Sequence, residues 1–382
     1  MNRRHFLVSV GAGGLVAATG VTAFALTRTP TAALAPWAEA ASGHPDPRRF
    51  VLNHAVLAPN PHNRQPWIVE LTGPLTMTLW CNLDRRLPQT DPFDRQILIG
   101  LACFAELAAI AATAIGYRLE VETFPAGEPW PRLDQRPIAH LRLVRDGGLS
   151  ADPLFAQIPH RRSTKRPFDM ARPVPAAGIA ALERLSTDAA RITAVTDPAI
   201  LGTLRDLTWD AWQIEAATKR THMESVDLMR IGRREIEANP DGISLGGPFL
   251  EGLSLIGQLS REQLADPASS ASRQGADMYR TMLAAAPAYL TVVAPDPSRA
   301  ATFAAGRAYL RANLTVAALG LSLHPVSQAL QEFAEMDGPR ARLDRLLDTG
   351  APRRLHMLAR LGYGPAVPQT PRWAASTRIR TA

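Results

Sequence analysis

Six consecutive residues, Arg161-Arg162-Ser163-Thr164-Lys165-Arg166, set four cations and two hydroxyls side by side. Arginine forks and serine hydroxyls are the donors that pair with the oxygens of a phosphate monoester. The same run also reads as a solvated basic loop, the usual fate of clustered charge. About a hundred residues earlier stands Ala58-Pro59-Asn60-Pro61-His62-Asn63-Arg64-Gln65-Pro66-Trp67. Its prolines stiffen the backbone, and its amides offer donors and acceptors to the edge of a heterocycle. The plainer reading is a turn in which the asparagines cap local backbone and Trp67 fills the core.

Other chemistries lack their residues. The chain has no Gly-x-Ser-x-Gly elbow, no Walker loop and no His-Glu-x-x-His. Its nine histidines are scattered, and His54 and His62 read as structural rather than as metal ligands. Cys81 and Cys103 have no metal-binding spacing; Cys103 reads as a buried, inert thiol, and a disulfide between the two stays open. No side chain is assigned a catalytic role, and no metal is expected.

The elements that must position these residues are legible in part. A linker rich in Thr, Ala and Pro is expected over 27–47, then a helix starting near Asp46-Pro47 with proline in its first turn. Strands are predicted at Trp67–Leu71 and Leu75–Cys81, with a Gly73-Pro74 turn between them. Ile97–Gly116 reads as an almost uniformly apolar helix, buried in the core rather than in a membrane because Glu106 sits at its middle. Strands Arg118–Thr123 and Ile138–Val144 follow. Residues 108–119 align without gaps to 312–323, both ending a core helix in Gly before a strand. Between the copies, 205–285 reads as helices interrupted by an apolar loop, Gly242–Gly257, expected to act as a lid.

At 382 residues the chain can bury a large core, and 46% hydrophobic with 20% charged residues is globular composition. The net charge of +7 is discounted as a nucleic-acid signature, because all but two of the 42 basic residues are arginines dispersed along the chain. Asn2-Arg3-Arg4-His5-Phe6-Leu7 matches a twin-arginine export motif, followed by an uncharged apolar stretch from Leu7 to Leu26. Export through that machinery to the periplasm or cell envelope is expected, and the small residues around Ala23-Phe24-Ala25 offer a cleavage site. Twenty apolar residues also suffice for an uncleaved anchor.

Together the two chemical segments resemble the nitroreductase-like FMN-binding superfamily, and within it the exported or stress-associated branch in which two units are fused. The resemblance spans most of 48–375. It implies an α+β fold, with units at 48–150 and 151–382 forming an intramolecular pseudo-dimer of mixed sheets and long buried helices, the lid insertion lying in the second unit. It implies that Arg161, Arg162, Ser163, Lys165 and Arg166 grip the FMN phosphate and pyrimidine edge, with Pro59, Asn60, Pro61 and Asn63 from the other unit as the opposite wall. It further implies that the loop Pro325-Val326-Ser327-Gln328 lays backbone amides against the flavin N5 edge, and that Arg372 adds a C-terminal phosphate contact. Ser327 and Gln328 stand where active relatives often carry an acidic residue and a glycine. The segments occur in the reverse of the family order, and only one of the two pseudo-dimer sites keeps both walls, so one FMN per chain is expected. The implied activity is two-electron transfer from reduced nicotinamide, or another donor, to a nitro- or quinone-like acceptor. The alternative is a flavin-binding protein that stores FMN beneath the lid without turnover. Either a monomeric pseudo-dimer or a homodimer fits.

Overall fold

The computed structural model describes residues 27–380; the twin-arginine segment lies outside the described residues. The fold is α+β, with two sheets and a short two-stranded ladder. The first sheet is built from β1 (Trp67–Gly73), β2 (Thr76–Cys81), β3 (Tyr117–Thr123) and β4 (Ala139–Arg145). The second unit supplies β5 (Arg191–Val195), the ladder strands β6 (Met229–Ile231) and β7 (Ile243–Leu245), β8 (Ala288–Ala294), β9 (Ser322–Pro325) and β10 (Arg354–Gly362). A last strand, β11 (Ile379–Arg380), follows. The sheet orders are β11-β1-β2-β4-β3 and β5-β8-β10-β9, antiparallel except where β11 pairs parallel with β1.

Two long helices, Arg95–Thr113 and Arg299–Ala318, pack against each other and join the units through one apolar core. The first is apolar all round because it is covered on every side. They approach closely at Gly306, where an added Cβ would lie 2.6 Å from the Ala102 Cβ and 2.9 Å from the Ile99 carbonyl. Only a residue without a side chain lets the backbones come this near. The Cys103 thiol donates to the Gly306 carbonyl at 3.3 Å, and both cysteines are free and buried.

The second sheet is covered on both faces, as its strand sequences require. Along β8, Ala288, Leu290, Val292 and Ala294 face the core shared with the first unit, while Tyr289 faces a second cluster. Strands buried on both sides lose polar alternation and read as continuous apolar runs. The second cluster is closed by helices Pro198–Ala217, Ser270–Ala284 and Asp337–Leu347.

Three expectations are corrected. The linker over 27–47 contains a helix, Thr31–Ser42, with Ala33, Pro36, Trp37 and Ala40 buried; burial of Trp37 outweighs the hydrogen bond lost at Pro36. The apolar loop Gly242–Gly257 is ordered as β7 plus a helix, Pro248–Leu255. The second unit does not keep its C-terminus: the tail bonds helix Thr31–Ser42 through the Arg372 N–H and the Ala33 carbonyl at 2.8 Å, and β11 extends the first unit's sheet. The helix beginning at Asp46-Pro47 is as the sequence predicts, with the Asp46 carboxylate accepting from the Arg48 N–H.

Candidate functional site

The loop after helix Pro47–Ala55 is held by its own side chains. Asn60 donates to the Ala58 carbonyl at 3.1 Å and its Oδ1 accepts from the Gln65 N–H at 2.7 Å. Three non-glycine residues within four positions, His62, Asn63 and Gln65, have φ of 46°, 51° and 49°. Left-handed backbone at such residues persists only where surroundings dictate it. The surroundings are close: a Cβ at Gly100 on the first core helix would lie 2.9 Å from the Asn60 Cβ. From the second unit, the Pro240 carbonyl accepts from Gln65 at 2.7 Å and from Asn63 at 3.2 Å, and the Gly242 N–H bonds the Asn63 carbonyl. Beside them, Asp241 pairs with Arg64 at 3.1 Å and Arg85 at 2.7 Å. The plainer reading therefore describes Asn60, which caps local backbone, and fully buried Trp67, whereas Asn63 ties the loop to the distant Pro240 and Pro371 carbonyls. Pro59 is buried, and Pro61 lies against helix Arg95–Thr113.

The basic segment is pinned from beneath. The Thr164 N–H bonds the Leu323 carbonyl at 3.0 Å, and buried Arg360 on β10 donates to the carbonyls of Thr164 and Arg166 at 3.2 Å. Arg360 has carbonyls and the His324 Nδ1 for partners, and burial lowers its pKa to about 10. Ser163 is half-buried; Lys165 and Arg166 are exposed.

These pieces converge on three guanidinium groups. Arg161 and Arg372 are buried, and both donate to the Leu57 carbonyl, at 3.2 and 3.3 Å. Arg372 also donates to Asn63 Oδ1 at 2.8 Å. Arg162 and Arg372 both lie over the Trp37 ring, at 5.1 and 5.9 Å from its centroid. Among the described residues no carboxylate pairs with any of the three; their partners are carbonyls and one amide. The Nε atoms of Arg162 and Arg372 are buried without a hydrogen-bond partner. Burial, then the positive charges of Arg161 and Arg162, push the Arg372 pKa well below its ordinary value. Burial brings Arg161 to about 10. Three converging cations with spare donors form a cradle for an anion.

A second wall stands beyond Lys165. Burial, then the charges of Lys165 and Arg64, lower His62 to about 4, so it is neutral at pH 7, with its Nε2 3.4 Å from the Ser225 hydroxyl. Ser327 in the loop after β9 donates to Gln96 Oε1 at 3.2 Å, leaving the Gln96 amide nitrogen without a partner. The Val326 N–H is spent on the Leu358 carbonyl and its side chain fills the second core cluster. Val326 is therefore a packing residue, and the candidate amide donors of Pro325–Gln328 reduce to those of Ser327 and Gln328. Behind the loop Glu215 accepts from Gln331 Nε2 at 2.8 Å and from the Gln328 side chain. Burial, reinforced by Glu224, raises Glu215 to about 7 against the pull of those amides and Lys165.

Sequence reasoning missed Trp37, Gln65, Gln96, Asp241 and Glu215. Trp37 sat in a segment read as linker. Asp241 carried a signal, an acidic residue beside Pro and Gly, but nothing in one sequence tells which arginines it meets.

No family model matches the chain. Two Mycobacterium tuberculosis proteins, from strains CDC 1551 and H37Rv, carry the provisional name NAD(P)H nitroreductase and are each 28% identical to it over 338 residues, covering 85% of this chain and 88% of the relative. Among solved structures, a Bacteroides fragilis nitroreductase with bound FMN is 16% identical over 59% of this chain and 97% of its own, with a TM-score of 0.35. A Mycobacterium smegmatis FMN-dependent nitroreductase in complex with NADPH is 16% identical over 58% and 94%, with a TM-score of 0.37.

Proposed function

We propose that the protein is an FMN-binding oxidoreductase of nitroreductase type, built from two fused nitroreductase-like units and holding one FMN per chain. The observation that carries this is the cradle of Arg161, Arg162 and Arg372: two buried and one half-buried, mutually repelling, free of carboxylates among the described residues, with two unpartnered Nε–H donors. Uncompensated buried cations cost several kcal/mol, which a bound phosphate would offset. The similarity to mycobacterial proteins provisionally named NAD(P)H nitroreductases supports the same reading.

The residues present fit FMN. Arg161, Arg162 and Arg372 would hold the phosphate, with Ser163 and Lys165 beside it, between the Pro59–Asn63 loop and the amides of Ser327 and Gln328. FMN supplies two-electron chemistry that no side chain here can supply. The protein's own work is binding and orientation: Asn63 fixes the Arg372 fork, Arg360 fixes the segment carrying Arg161, and Gln96 fixes Ser327. We read NADPH or NADH as the donor, a nitro- or quinone-like compound as the acceptor, and the cell envelope, reached by twin-arginine export, as the location.

The test is reconstitution with FMN followed by anaerobic mixing with NADPH, then NADH. One FMN per chain and bleaching of the flavin band support the proposal. Bleaching by dithionite alone would replace it with storage of flavin without turnover. A protein that stays colourless in excess FMN would overturn flavin binding itself.

A further inference from the structure

Helix Pro248–Leu255 and the residue that follows it expose three large apolar side chains. Phe249, Leu255 and Ile256 are 73%, 71% and 70% exposed, while Glu251 on the same helix is buried. Phe249 and Ile256 lie seven residues apart, two helical turns on one face. Side chains this large, this exposed and this close together mark a contact surface.

The chain itself indicates what covers it. The uncharged apolar stretch Leu7–Leu26 ends two residues before Arg28. Arg28 is joined to this helix: its guanidinium lies 3.6 Å from the Glu251 carboxylate. Arg233, whose N–H donates to Glu251 at 2.8 Å, uses its guanidinium to hold the Thr27 carbonyl at 2.8 Å. The Ala32 N–H donates to Glu237 at 3.4 Å on the same helix as Arg233. Two residues of extended chain reach about 7 Å. Wherever Leu26 leaves a bilayer, this short tether holds the helix paired with Arg28 near that bilayer's surface.

We propose that residues 7–26 remain in the membrane and that helix Pro248–Leu255 lies on its surface, with Phe249, Leu255 and Ile256 in the lipid interface. The bound cofactor plays no part in this placement. Arg28 and Arg233 at the point of exit sit where cations meet anionic headgroups. The anchor sets position, and the apolar stripe sets orientation. An interfacial helix of this kind sinks its apolar side chains into the boundary between headgroups and acyl chains.

The test uses the full chain carrying Leu255→Cys, and separately Ile256→Cys, labelled with an environment-sensitive fluorophore. Native Cys81 and Cys103 are buried and do not compete for label. Each protein is reconstituted into phosphatidylcholine–phosphatidylglycerol vesicles with ordinary or brominated acyl chains. The expected result is co-flotation, a blue-shifted emission and several-fold quenching by brominated lipid at both positions. Co-flotation with no quenching would overturn the proposal, as would failure of the chain to float with the vesicles. Shielding of the labels without vesicles also overturns it: concentration-dependent shielding assigns the stripe to a second copy, and FMN-dependent shielding assigns it to a lid.

Discussion

Replacing Glu215 by Gln should stabilise the protein at pH 8 and leave it nearly unchanged at pH 4.5. Glu215 is 9% exposed and its pKa is raised from 4.5 to about 7, first by burial and then by Glu224. An acid with a raised folded-state pKa destabilises the fold when ionised. The penalty is absent below the unfolded value of 4.5, grows between 4.5 and about 7, and is constant above that. The shift corresponds to about 3.4 kcal/mol above pH 7, an upper bound because buried sites relax and admit water. Gln carries no such charge, and its new amide can donate to Gln331 Oε1, which is buried and unpartnered. About 1–3 kcal/mol of gain at pH 8 is therefore expected, or several degrees in Tm. The assay is thermal unfolding of both proteins without FMN at pH 4.5, 6 and 8. Asp91, raised to about 6 by burial, titrates in both and cancels in the difference. A difference that is the same at every pH would refute the reasoning, and a variant less stable at pH 8 would show that the ionised carboxylate is stabilising.

Arg372→Met should weaken FMN binding about 10- to 100-fold, the loss of one or two charge-assisted hydrogen bonds, while leaving the FMN-free fold as stable or slightly more so; fluorescence titration and Tm separate the two effects. Asp241→Asn should strip the buried partner from Arg64 and Arg85 and cost about 3–5 kcal/mol, read by urea unfolding. Gly306→Val should overpack the contact with Ala102 and Ile99 by at least 1–3 kcal/mol, lowering Tm without touching the site.

The parts of the fold that were legible are those in which one local rule suffices. Asp46-Pro47 announces a capped helix, Gly73-Pro74 a hairpin turn, and an uninterrupted apolar run a helix covered on all sides. The parts that were not legible depend on distant partners. Thr31–Ser42 looks like linker because Pro36 breaks its donor series, yet it is a helix because Trp37 finds Arg162 and Arg372 to sit beneath. Nothing within those twelve residues encodes an arginine more than three hundred positions away.

The same distinction explains why Asn63 could be named but its part could not. An asparagine between prolines offers an amide, and the sequence leaves open whether that amide faces a ligand or the protein. In the fold its two ends are divided: Nδ2 donates to the Pro240 and Pro371 carbonyls, and Oδ1 accepts from Arg372. A side chain so committed has little left for a heterocycle, but it sets the direction of the guanidinium that closes the cradle. Asn63→Ala should therefore act through Arg372. If it does, Asn63→Ala on an Arg372→Met background should cost almost nothing further in FMN affinity, whereas direct contact with the ligand would make the two losses add. A double-mutant cycle that returned full additivity would restore Asn63 to the binding wall.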